Sequence, residues 1–357
     1  MNPIRFAIIG GGWRTLFFLR IARALPDRFQ ITGLMVRDPE KGALLEKEWG
    51  IPTFRTLNET LAAKPCFVVV SVPWAVTPVL LKELADLAVP TLAETPPAPD
   101  IEGLLALWPL VKAGARIQVA EQYNFQPIHA ARLAVVKSGK LGAVTQAQVS
   151  AAHGYHGISI MRALLGVGLQ APTITARHFT SPLVNGPGRD GPPNEENVGQ
   201  SGQELAWFDY GDKLGVFDFT GDQYFSWVRS PRILVRGERG EINNTTVRWL
   251  ADCRTPITVE LQRQDAGQDG NLEGYYHKGI LAGGEWVYRN PFVPGRLADD
   301  EIAIATCLQK MAEYADGGPD FYNLADASQD HYLGIMLDLA AAAQAPLHTE
   351  LQPWALA

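Results

Sequence analysis

Residues 5–15 read Arg-Phe-Ala-Ile-Ile-Gly-Gly-Gly-Trp-Arg-Thr, and this stretch limits the possible folds most tightly. An apolar run, Phe6–Ile9, ends in three glycines, and a helix-forming segment from Leu16 to Leu25 follows at once. A buried strand that turns sharply into a helix leaves backbone N–H groups aimed out of the turn, a ready cradle for a dinucleotide diphosphate. Gly10 permits the tight turn, and Gly12 lets the backbone approach phosphate oxygens with no Cβ between them. Thr15 departs from the third glycine position, and Trp13 is bulky for such a turn. Trp13 either shields one side of the diphosphate or packs on a domain seam. A glycine-rich turn also opens ordinary βα units, so the reading needs the rest of the chain.

Short apolar runs alternate with helical segments over the first 120 residues. Strands are expected at Ile4–Ile9, Gln30–Val36, Cys66–Val72, Thr91–Ala93 and Ile117–Ala120. Helices are expected near 13–25, 39–48, 74–87 and 100–113. This alternation predicts a Rossmann domain over residues 1–122, a doubly wound parallel sheet with helices on both faces. Cys66, at the mouth of an apolar strand, reads as a core thiol.

Residues 123–357 have a different texture. A helix near 127–139 leads to a strand over Ala143–Ala151 and a helix near 155–165. The Gly- and Pro-rich stretch 181–203 reads as a long, mobile loop. Strands follow at Glu204–Tyr210, Lys213–Thr220, Tyr224–Arg229, Ile233–Arg236, Thr246–Leu250 and Ile257–Leu261, with a hairpin turn at Tyr210–Lys213. The aromatic residues Tyr224, Phe225, Trp227 and Trp249 fall on these strands, as core, subunit interface or sugar-stacking groups. Two helices, near 300–316 and 325–344, close the chain, and they are able to pack back on the first domain. The expected second domain is α+β, built on a mostly antiparallel open sheet.

A formal net charge of −7 leaves no basic stripe for nucleic acid. No apolar run approaches the ~20 residues that span a bilayer, and the first residues enter a strand directly, which points to the cytoplasm. The three cysteines are too widely spaced for a disulfide framework or a metal cluster.

Several motifs, in one order, carry a resemblance. They are Gly10-Gly11-Gly12, Arg37-Asp38-Pro39-Glu40, Ser71-Val72-Pro73, Glu94-Thr95-Pro96, Gln126-Pro127, Ser138-Gly139-Lys140-Leu141-Gly142, His156 ahead of Gly166, and Val235–Ile242. In this order they resemble the glucose–fructose oxidoreductase / inositol dehydrogenase / rhizopine-catabolism (Gfo/Idh/MocA) oxidoreductase family across nearly the whole chain. The resemblance implies a nicotinamide dinucleotide at the carboxyl edge of the first sheet, near Val72 and Pro73. Glu94, at the same edge, reads as a turn-organising carboxylate or a cofactor-side group, and at least one of Glu121, Gln122, Tyr123 and Asn124 is expected to meet the ribose, nicotinamide or substrate. It implies a small-molecule substrate, a sugar, cyclitol or similar polyol, held against the second sheet. It also implies a homodimer or homotetramer.

Three positions depart from the family pattern. The family's Glu-Lys-Pro lysine, which sits beside the substrate oxygen, is Thr95 here, and a hydroxyl brings no full charge. Loss of such a cation is worth on the order of 10²–10³ in rate, so the chain either places another cation nearby or does different work. The aspartate four residues before the catalytic histidine is Ala152. His156 remains as the group to move the substrate proton, with His153 and Tyr155 as new neighbours. Thr77 stands where a histidine is common.

Cofactor preference is read at the end of the second strand. Counting places Val36 where NAD-preferring domains carry an acid, with Arg37 next, and a guanidinium pairs bidentately with a 2′-phosphate. Arg14 is placed to assist. NADP is therefore favoured over NAD, unless Asp38 binds the ribose. The leading reading is an NAD(P)-dependent dehydrogenase in which His156 moves the proton and Thr95 hydrogen-bonds the oxygen. The alternatives are a catalytically silent dinucleotide sensor, and a lyase or glycosidase that oxidises its substrate transiently through a tightly held dinucleotide.

Overall fold

A computed structural model describes residues 2–267 and 274–356. The chain divides into two compact units. The first comprises Met1–Pro127, Gln264–Lys278 and Asn290–Ser328, and the second comprises Ile128–Arg263, Gly279–Arg289 and Gln329–Ala357.

The first unit is built on six strands: β1 (Ile4–Ile9), β2 (Phe29–Met35), β3 (Thr53–Phe54), β4 (Phe67–Val70), β5 (Thr91–Ala93) and β6 (Ile117–Val119). Their order is β3-β2-β1-β4-β5-β6, and every neighbouring pair is parallel. This is the Rossmann order, with its switch point between β1 and β4, where connections leave in opposite directions and open a crevice. Helices α1 (Thr15–Ala24), α2 (Pro39–Trp49), α3 (Leu57–Ala62), α4 (Thr77–Asp86) and α5 (Ile101–Lys112) join the strands. Phe67, Val68, Val69 and Val70 are wholly buried, which explains why β4 is apolar at consecutive positions instead of alternate ones. β3 and α3 escape the expected pattern. β3 has only two residues, and α3 is set by a capping box in which Thr56 and Glu59 satisfy each other's backbone N–H.

The second unit opens with α6 (Pro127–Lys137), β7 (Val144–Ser150) and α7 (Gly154–Leu165). Strands β8 (Thr173–Val184), β9 (Val198–Asp209), β10 (Leu214–Thr220), β11 (Arg232–Gly237), β12 (Gly240–Asn243), β13 (Thr246–Asp252), β14 (Thr255–Ala266), β15 (Tyr276–Ala282) and β16 (Glu285–Arg289) follow. The chain then runs through α8 (Asp299–Ala315), α9 (Leu324–Ala343) and β17 (Leu347–His348), with α8 counted in the first unit. The sheet order is β16-β15-β14-β13-β12-β11-β7-β10-β9-β8-β17. β7 and β10 pair in parallel, while β11, β12, β13 and the β8–β9 and β9–β10 hairpins pair antiparallel. The fold class is thus a Rossmann sheet followed by an α+β domain on a mostly antiparallel sheet.

Three expectations are corrected. Both ends of 181–203 are strand, not loop. β8 and β9 pair over their full length, from Thr173↔Asp209 to Val184↔Val198, leaving only 185–197 as connection. The arms are polar because their outer halves pair with each other and are largely solvent-exposed, so the apolar alternation is missing. Tyr224–Arg229 is not a strand: a short 3₁₀ turn, Gly221–Tyr224, follows β10, and the chain stays irregular to Pro231. Thr220 and Gln223 form the capping box of that turn. Of the four aromatic residues expected on strands, only Trp249 lies on one. Cys66 is exposed, one residue before β4 begins, and the buried thiol is Cys307.

Candidate active site

At the carboxyl edge of the first sheet, Gly10 follows β1 with φ +127°, and a Cβ there would lie 1.9 Å from the Ser71 carbonyl oxygen after β4. Only glycine lets these two strand ends approach so closely. Among the described residues, a Cβ on Gly12 would meet no atom within 4 Å beyond its two chain neighbours, so the turn leaves room at the position where a diphosphate would be cradled. Trp13 is 54% exposed and packs edge-on against Phe17 of α1, at 5.2 Å between ring centroids. Thr15 is fully buried, and its Oγ1 has no hydrogen-bond partner among the described residues. The third glycine position is therefore filled by a side chain that packs inward.

Arg14 does something its position in a glycine turn did not announce. Its Nε donates to Glu94 Oε1 at 2.8 Å and its Nη2 donates to Gln122 Oε1 at 3.1 Å. Glu94 follows β5, and Gln122 lies three residues beyond β6. The guanidinium is thus fixed on the β5–β6 side of the edge, beside the residue that precedes Thr95. Arg and Glu side chains here are only 17% and 13% exposed, so the pair is shielded from solvent. Arg14 is consequently not at the end of β2, where it was expected to help Arg37 with a ribose phosphate.

At the end of β2, Val36 is buried and Arg37 is exposed. The competing ribose ligand, Asp38, is engaged locally: its Oδ1 accepts from the N–H groups of Glu40 and Lys41 and caps α2. Val72 is half-buried and Pro73 exposed after β4, with Trp74 49% exposed beside them. Thr77 is buried in the first turn of α4, so it does not stand open at this edge. Thr95 is half-buried. Glu121 turns inward, its carboxylate accepting from the Tyr123 N–H at 2.9 Å.

In the second unit, β7 ends two residues before Ala152, and His153 begins α7. His153, Tyr155 and His156 are brought together: ring centroids lie 5.4 Å apart for His153–Tyr155, 5.0 Å for His153–His156 and 4.4 Å for Tyr155–His156. His156 is buried, and Tyr155 also meets His331 at 5.7 Å. Tyr224, from the turn after β10, joins this group, with its hydroxyl 2.6 Å from His153 Nδ1. The expected strand over 224–229 does not bring Tyr224 here; the Thr220-x-x-Gln223 pattern, a turn-start signature, does. Desolvation, with the charge of His156 as the second cause, pushes the His153 imidazole down to about 4. His153 is therefore neutral at pH 7. Among the described residues no group of His, Cys, Asp and Glu is arranged to hold a metal, and no helix is long and apolar enough to cross a membrane.

The strand order and the glycine turn define the first unit as an NAD-binding Rossmann fold. Residues 4–121 match the model of the oxidoreductase family with an NAD-binding Rossmann fold, the family its motifs resemble. No curated protein matches the sequence. Solved structures align over almost the full length. An oxidoreductase from Agrobacterium radiobacter, in complex with NAD+, L-tartaric acid and magnesium, is 16% identical with a TM-score of 0.66, covering 97% of this chain and 98% of its own. Levoglucosan dehydrogenase, in complex with NADH and levoglucosan, is 14% identical with a TM-score of 0.67, covering 97% and 99%. GenD2 from gentamicin A biosynthesis, in complex with NAD, is 15% identical with a TM-score of 0.64, covering 98% and 97%. At these identities the likeness is one of fold, and it extends through the second unit.

Proposed function

We propose that this protein is an NAD(P)-dependent dehydrogenase or reductase acting on a secondary alcohol or ketone of a sugar, cyclitol or related polyol. The observation that carries the reading is the open Gly10–Thr15 turn at the β1/β4 switch point, with Arg14 fixed on Glu94 and Gln122 at the same edge. A bound nicotinamide dinucleotide supplies hydride exchange with a carbon that bears oxygen. The chain's own residues do the remaining work. The N–H groups of the turn bind the diphosphate. Arg37, exposed and next to the apolar Val36, pairs with a 2′-phosphate, and the capping role of Asp38 supports NADP over NAD. Arg14 brings to this edge the positive charge that Thr95 lacks, and steadies charge on the substrate oxygen. Thr95 adds a hydrogen bond, and an imidazole nitrogen of His156 exchanges the hydroxyl proton. The exposed Phe179 and Trp207 on β8 and β9 support self-association as a homodimer or homotetramer through that sheet.

The test is a fluorescence titration with NADPH and NADH, followed by assay with a panel of sugars, cyclitols and their keto forms. Binding of NADPH at least about tenfold tighter than NADH is expected, since one charge-assisted bidentate contact is at stake. Turnover lost in His156→Ala, with coenzyme binding kept, supports the dehydrogenase. Failure to retain either coenzyme at millimolar concentration overturns the reading. Binding without turnover would favour a sensor, and product without net coenzyme oxidation or reduction would favour a lyase or glycosidase.

A further inference from the structure

We propose that Tyr224 is a positioning residue that locks His153 as its Nε2–H tautomer, so that His153 presents a hydrogen-bond donor to a neutral hydroxyl or carbonyl oxygen of the substrate.

The geometry at Tyr224 is asymmetric. The His153 backbone N–H donates to the phenol oxygen at 3.0 Å, and the same oxygen lies 2.6 Å from His153 Nδ1. An N–H donor to oxygen ordinarily sits near 2.9–3.0 Å, whereas an O–H donor comes closer. We read the short contact as the phenol O–H donating to an unprotonated Nδ1, with the phenol oxygen accepting from the amide. With Nδ1 occupied as acceptor, the ring proton resides on Nε2. The depressed basicity of this imidazole agrees with a ring that stays neutral. The rings of Tyr155, His156 and Tyr224 pack against it. His153 is exposed, and its Nε2–H is the part proposed to meet a ligand.

Tyr224 is itself held in place. Gln223 is buried, and its Oε1 accepts from the Thr220 N–H at 2.9 Å. Its Nε2 donates to the Ser150 and Ser230 carbonyl oxygens at 3.2 and 2.8 Å. The turn that carries Tyr224 is therefore pinned to the end of β7, three residues before His153. A neutral donor suits a neutral oxygen, and it divides the labour: His153 orients the ligand, leaving His156 to carry the proton. This ligand class rests on the dehydrogenase reading, whereas the tautomer does not.

The experiment is a long-range ¹H–¹⁵N correlation spectrum of ¹⁵N-histidine-labelled protein at pH 7, with His153 assigned by its loss in His153→Gln. A pyrrole-type Nε2 and a pyridine-type Nδ1 are expected, and Tyr224→Phe should average the two signals. A protonated Nδ1 in the native protein, or a tautomer unchanged in Tyr224→Phe, overturns the proposal. With turnover in hand, Tyr224→Phe should raise KM about tenfold at little cost in kcat and leave coenzyme affinity unchanged, as for one lost hydrogen bond. His153→Gln, which keeps a donor near Nε2, should bind substrate better than His153→Asn; the reverse ranking contradicts the assignment. If no substrate is ever turned over, the spectrum still decides the tautomer, so the two readings fail separately.

Discussion

Gly10→Ala and Gly12→Ala should damage this protein in opposite ways. Alanine at Gly10 puts a methyl carbon 1.9 Å from a backbone oxygen at φ +127°, and neither the strand end nor the carbonyl is a flexible group that can yield. Strain of this kind, added to a steric clash between two core strands, costs about 4 kcal/mol or more. In a chain of this size that corresponds to a fall in unfolding temperature of about 5 °C, read by circular dichroism. Alanine at Gly12 meets nothing among the described residues beyond its chain neighbours, so the unfolding temperature should stay within about 1 °C. Its methyl group stands instead in the space a diphosphate would take, and coenzyme affinity should fall by at least about tenfold. A Gly12→Ala variant that binds NADPH as tightly as the parent would remove the turn from the coenzyme site. A Gly10→Ala variant of native stability would show that the close approach to Ser71 can relax.

This contrast also marks where the sequence was informative. A tight turn between an apolar strand and a helix is a local event, and so its glycines are visible in eleven residues. The same holds for the alternation that produced the β1–β6 order, because each βα step is short and covered on both sides. The β8–β9 arm was misread because its two strands stabilise each other through backbone pairing, and composition does not record a partner. Tyr224 was misplaced because aromatic residues fit both a strand and a packed turn, and the capping pair before it decides between them. The meeting of Arg14, Glu94 and Gln122 was illegible in a different sense. The sequence places each of them at a turn or strand end, but their separations of 80 and 108 positions are closed only by the strand order.

Arg14→Leu then becomes the sharpest test of how the site works. If the guanidinium steadies charge on the substrate oxygen, its removal should lower kcat/KM by about 10²–10³, the cost of losing one preorganised electrostatic contact. NADPH affinity should change by less than about threefold, because the turn's N–H groups, not this side chain, hold the diphosphate. Stability should also fall, by about 2 kcal/mol, since Glu94 would keep a shielded carboxylate with its partner gone. The two effects separate in the double variant Arg14→Leu/Glu94→Gln, which removes the stranded charge. Unfolding temperature should recover toward the parent while turnover stays low. Recovery of turnover together with stability would mean that Arg14 serves only to tie β1, β5 and β6 at their ends. Adding Thr95→Lys to the double variant restores a cation one residue from position 94, and turnover should rise by about tenfold or more if charge at that edge is what the reaction needs. A lysine that changes nothing would place the compensating charge elsewhere in the chain.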